Sequence, residues 1–75
     1  MPKGYSGAKV IKILISAFGL FEVSQKGSHV KLNGLRLGKN VVVIVPDHKE
    51  LAHGTLRSIL RQARVEYSEF VEAAQ

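Results

Sequence analysis

Seventy-five residues with 11 Lys+Arg against 6 Asp+Glu, a formal net charge of +5 and no cysteine describe a small basic chain. That length allows one domain, residues 1–75, with a thin core, and excludes a doubly wound dinucleotide domain or a multidomain enzyme. The lack of cysteine removes disulfides and thiolate zinc sites, so packing or a partner must stabilise the fold.

Ser6 to Phe18 reads as an amphipathic helix. Ser6 is an N-cap type, Val10, Leu14, Ala17 and Phe18 recur at helical spacing with Ile11 and Ile15 beside them, and Gly19 suits a left-handed stop. Leu20 to Gln25 alternates as a half-buried strand, with Phe21, Val23 and Gln25 on one side and Glu22 and Ser24 on the other. Lys26-Gly27-Ser28 has the length and glycine of a tight turn, and His29 to Leu32 reads as a short second strand. Asn33-Gly34 is a strong turn dipeptide, so the stretch to Asn40 is expected to be a hairpin loop. Val41 to Val45 is β-branched throughout and predicts a third strand, ended by Pro46.

Asp47 to Gly54 is polar and is expected to be loop. Thr55 can cap the next helix, with Leu56, Ile59, Leu60 and Ala63 on one face and Arg57, Arg61 and Arg64 on much of the other. Ser68 is placed to cap a last short helix, with Glu69 in its first turn and Phe70, Val71 and Ala74 as apolar contacts. The order α-β-β-β-α with an extra C-terminal helix predicts an α+β fold, a three-stranded antiparallel sheet packed against helices.

No apolar run approaches the roughly 20 residues of a membrane span. The start Met1-Pro2-Lys3-Gly4-Tyr5 lacks the apolar core of a signal peptide. A cytoplasmic setting with no membrane contact is therefore expected. The charge is uneven: residues 1–45 hold seven basic side chains against the single acid Glu22, whereas residues 66–75 hold Glu66, Glu69 and Glu72 and no cation. A basic body with a short acidic tail suits a polyanion partner, nucleic acid first, although a merely solubilising surface carries the same charge.

Histidine is the only side chain whose unperturbed pKa lies near neutrality, and His29 stands out by position. It follows Lys26-Gly27-Ser28, where a glycine turn lets a phosphate approach the backbone, Lys26 supplies charge and Ser28 a hydroxyl and an amide. A histidine there could take the proton of an RNA 2′-hydroxyl, which then attacks the adjacent phosphorus. A polar turn followed by an exposed strand histidine is the plainer alternative. His48 and His53, five apart, match no metal signature, and no metal site or cofactor is expected. Tyr5 and Phe21 suit packing better than base stacking. The arginine face of the second helix is either a solvated face or a track for a phosphate backbone.

Three stretches, Gly4-Tyr5-Ser6-Gly7, Gln25-Lys26-Gly27-Ser28-His29 and Lys49-Glu50-Leu51 with Gly54-Thr55-Leu56-Arg57-Ser58-Ile59-Leu60-Arg61-Gln62-Ala63, resemble in order the HicA family of mRNA interferase toxins, from HicA–HicB toxin–antitoxin systems. The resemblance implies a fold similar to the double-stranded-RNA-binding domain. It also implies ribosome-independent, metal-independent cleavage of mRNA that halts translation, and a HicB antitoxin that covers the active site. Carried over, the family's essential histidine falls on His29, preceded by Gly27 and Ser28. The expected site is then His29 as catalytic base, with Lys26, Gly27, Ser28, Lys31, Arg57 and Arg61 contacting RNA phosphates. The chain departs from the family in carrying Arg64 where a glycine is common, and in a shortened loop at Asp47 to Lys49.

A non-catalytic RNA-binding module is the alternative reading; a typical double-stranded-RNA binder would carry a lysine cluster where this chain has Gly54-Thr55-Leu56-Arg57. A helix-turn-helix DNA binder is disfavoured, because its would-be recognition helix holds Glu69 and Glu72 and no cation.

Overall fold

A computed structural model describes residues 4–75; Met1 to Lys3, and the part of the N-terminal reading that rests on them, lie outside the described residues. The chain runs α1 (Gly7–Phe18), β1 (Phe21–Lys26), β2 (His29–Arg36), β3 (Lys39–Pro46), α2 (His53–Ala63) and α3 (Tyr67–Ala73). The strands form one antiparallel sheet in the order β1-β2-β3.

Helix α1 starts where Ser6, in extended backbone, accepts from the Lys9 amide at 3.0 Å, and stops at Gly19 in left-handed conformation (φ 74°). Its buried face is Val10, Ile13 and Leu14, flanked by half-buried Ile11 and Phe18; Ala17 and Ile15 face outward. Gly7 at its first turn is buried against the end of β3. A Cβ there would collide with the Pro46 carbonyl oxygen and lie 2.8 Å from the Asp47 Cα. The Gly7 amide donates to the His48 carbonyl at 2.8 Å, so the start of α1 is held onto the loop after β3.

The inward face of the sheet is Val30 and Leu32 of β2 with Val41, Val43 and Val45 of β3. These pack with the α1 residues and with Leu56, Ile59, Leu60 and Ala63 of α2 in a single buried cluster. β1 is an edge strand exposed along its whole length. A bulge between Glu22 and Ser24 breaks the expected alternation, so Phe21 and Ser24 oppose Asn33 and Lys31. The other edge, β3, is partly covered: the Ile44 amide donates to the Gln62 side-chain carbonyl at 3.2 Å.

Three local expectations are corrected. Asn33-Gly34 does not turn the chain. It lies inside β2, which runs on to Arg36, and the hairpin turns instead at Leu37-Gly38, with φ of 52° and 77°. Gly34 is used for space, since a Cβ there would collide with the Leu20 side chain. Thr55 does not cap α2: the helix begins at His53, three residues before the start that a Thr55 cap implies, with Ala52 as an N-cap that makes no side-chain bond. Ser68 does not cap α3. Glu66 is the N-cap, in a reciprocal capping box whose Glu69 carboxylate accepts from the Glu66 amide at 2.9 Å.

The expected C-terminal helix is present as α3 and is anchored on the core by Phe70, while Glu66, Glu69 and Glu72 stay exposed. Phe70 of α3 is fully buried, and its ring meets Tyr5 edge-on at 5.0 Å; such burial stabilises by about 1.5–3 kcal/mol. Arg36 is half-buried, with its guanidinium 5.1 Å from the Phe18 ring centroid, 3.6 Å from the Glu69 carboxylate and donating to the Arg64 carbonyl at 3.2 Å.

Overpacking at a tight contact costs about 1–3 kcal/mol, so Gly7→Ala is expected to lower unfolding free energy by that amount in urea titration. Gly54→Ala, where a Cβ meets nothing within 4 Å, is expected to be neutral or to stabilise by up to about 1 kcal/mol, as alanine does within a helix.

Candidate functional site

His29 is the first residue of β2, and pairs with Lys26 across β1 and with Pro46 across β3. Directly opposed residues of antiparallel strands share a face. Lys26 and His29 therefore stand side by side on the face away from the helices. Lys31, two residues on, shares that face by the two-residue period of the strand. All three are exposed.

The turn that presents His29 is built from backbone. Gly27 and Ser28 join β1 to β2 in two residues, with Gly27 at φ 59°, a conformation that suits a residue without Cβ. The Gln25 side-chain amide donates to the Gly27 carbonyl at 3.1 Å, and the Asp47 amide donates to the Ser28 carbonyl at 2.6 Å. Nothing lies within 4 Å of where a Gly27 Cβ would sit. Apart from its chain neighbours Lys26 and Ser28, no part of the protein crowds that side of the Gly27 backbone.

Beside His29 runs a shallow cleft of about 390 Å³ between the outer edge of β3 and α2. Ile44 and Pro46 form one wall, Thr55, Ser58 and Gln62 the other. Sequence reasoning missed these α2 residues. The signal was present as small or polar groups at Gly54, Ser58 and Gln62, four apart and hence on one helical stripe.

Arg57 and Arg61 are not brought to His29. They line a separate groove on the far flank of α2, with Arg64 and Tyr67. The Arg57 guanidinium lies 4.4 Å from the Tyr67 ring centroid, and its Nε donates to His53 Nε2 at 3.3 Å. The His53 and Tyr67 rings meet edge-on at 5.7 Å. His53, expected in a loop, thus lies in the first turn of α2 and holds an arginine. Tyr5 packs on Phe70, as its aromatic character suggests, while Phe21 is 54% exposed on the open sheet face. Among the described residues, no three His, Asp or Glu side chains gather into a set that could hold a metal ion. No helix among them is long and apolar enough to cross a membrane.

The unexpected Arg64 lies just past the end of α2. It adopts the left-handed conformation itself, at φ 57°, with its amide donating to the Leu60 and Arg61 carbonyls. The helix therefore ends where a glycine would end it.

Residues 7–65 match the family model described as the HicA toxin of bacterial toxin–antitoxin systems. A comparison with curated proteins finds no match.

The Arg57–Tyr67 contact is expected to couple the two side chains by about 0.5–1 kcal/mol, as exposed cation–π pairs do. A double-mutant cycle with Arg57→Ala and Tyr67→Ala, read by chemical unfolding, measures it.

Proposed function

The chain belongs to the HicA toxin family and is thereby a toxin of the toxin–antitoxin kind; from that premise we propose that it is an mRNA endonuclease acting in the cytoplasm, with His29 as general base. The observation that carries this reading is the exposed His29 beside Lys26, at the lip of a cleft and next to the Gly27-Ser28 turn. In this reading a neutral imidazole takes the proton of a ribose 2′-hydroxyl. The oxygen attacks the adjacent phosphorus, and the bond from phosphorus to the 5′-oxygen breaks. The imidazolium returns its proton to that leaving oxygen, so one group serves as base and then acid. The products are a 2′,3′-cyclic phosphate and a 5′-hydroxyl.

Lys26 offsets the charge that builds on the non-bridging oxygens. The backbone of Gly27 and Ser28 approaches the phosphate, and Lys31 holds the strand along the open face. No metal ion takes part in this scheme. Arg57 and Arg61 face away from the cleft and are not assigned to it. A HicB-like antitoxin would neutralise the toxin by covering the His29 end.

Induced expression is expected to arrest growth, and His29→Ala to abolish the arrest while keeping the wild-type circular dichroism spectrum and Tm. In purified protein the same change is expected to slow RNA cleavage by about 10²–10⁴-fold, the usual contribution of a positioned acid–base group. Full arrest by a folded His29→Ala protein contradicts the catalytic role. RNA left intact but bound in a salt-sensitive manner identifies a non-catalytic RNA-binding module instead.

A further inference from the structure

A second groove, of about 410 Å³, opens where the end of α2 and the α2–α3 connection meet the β2–β3 turn. Arg57, Arg61 and Arg64 line it, together with apolar Leu37 and Val65. The one ion pair among the described residues joins Arg36 to Glu69, so these three guanidiniums have no carboxylate within 4.0 Å. Like charges three and four apart on a helix repel. Glu66 also borders the groove, but its carboxylate is engaged in capping α3.

Backbone conformation marks the same place. Leu37 at φ 52° and Arg64 at φ 57° are the only described residues other than glycine with positive φ. Asn, Asp or glycine is usual at the first place of a two-residue hairpin turn, and glycine just past a helix end. At both positions the chain retains a side chain against the backbone preference, and both side chains border this groove. Leu37 is moreover 75% exposed, an apolar group held in water at the lip of a basic patch. Strain kept at two neighbouring surface positions points to a use for the side chains themselves.

We propose that this groove docks an acidic protein segment that carries an apolar anchor residue. Arg61 and Arg64 pair with its carboxylates, Arg57 is pre-placed by Tyr67 and His53, and exposed Leu37 receives the anchor. Charge complementarity sets the sign of the partner. The apolar lip favours protein over RNA, because a phosphate backbone has no apolar group to bury there. The aromatic ring in the groove, Tyr67, is already faced by Arg57 rather than open to a base. The groove is on the opposite flank of α2 from His29, so this inference stands apart from the RNA reading. A partner seated here grips the toxin without entering the cleft.

The test is a solution NMR titration of the whole protein with three probes: a peptide of glutamate and leucine, a peptide of equal length and charge made of glutamate and serine, and an oligouridylate. The glutamate–leucine peptide is expected to shift the Leu37 methyl and the Arg61 and Arg64 Nε–H signals, and to bind roughly tenfold more tightly than the serine version, as an apolar anchor does. Arg64→Gly and Leu37→Gly are each expected to weaken that binding roughly fivefold or more while holding or raising Tm, because glycine relieves the left-handed backbone. A purely structural role predicts no loss of binding in either variant. Three results overturn the proposal: no shift with either peptide, equal binding of both peptides, or groove signals that respond to the oligouridylate alone.

Discussion

The architecture hinges on a small backbone junction at one end of the sheet. The Asp47 amide, just past β3, donates to the Ser28 carbonyl in the β1–β2 turn at 2.6 Å. One residue on, the His48 carbonyl accepts from the Gly7 amide at the head of α1. Gly7 can come that close only because it lacks a Cβ. Turn, strand end and helix start are thus fixed to one another by main-chain groups. No side chain of the turn is consumed in doing so, which leaves His29 and Lys26 exposed on a scaffold that does not depend on them.

The sheet divides the molecule into two chemical halves. Its inner face joins α1, α2 and α3 in a core of Val, Leu and Ile closed by Phe70. Its outer face keeps Lys26, His29 and Lys31 in water beside exposed Phe21, Val42 and Ile44. The charges divide in the same way. Arg36, Glu66 and Glu69 are used internally, in an ion pair and a capping box, whereas the cations near His29 and in the α2 groove stay exposed. Net charge alone conveys little here; which cations remain unpaired, and on which side of α2, carries the functional information.

Much of this was legible in the residues. Ser6 and Gly19 bracket α1, the β-branched run of 41–45 marks the central part of β3, and Lys26 to His29 locates the turn and the histidine. The errors came from residues with more than one physical use. Gly34 has a turn glycine's neighbour in Asn33, yet is needed for close packing on Leu20, and the turn fell to Leu37-Gly38, where a leucine accepts a conformation its side chain disfavours. Thr55 and Ser68 are good capping types, but α2 starts without a side-chain cap and α3 uses the rarer Glu66. The arginine spacing in α2 was plain, whereas its separation from His29 was not. Which flank of a helix meets a sheet edge depends on tertiary packing, here the Gln62 bond to Ile44.

Under the proposed function, His29 and its turn perform transesterification on RNA without a metal. Mass spectrometry of RNA termini after incubation with purified protein in excess EDTA tests it most directly. Fragments ending in 2′,3′-cyclic phosphate and beginning with 5′-hydroxyl are expected, absent with folded His29→Ala protein. Fragments with 5′-phosphate and 3′-hydroxyl ends, or cleavage abolished by EDTA, would contradict it.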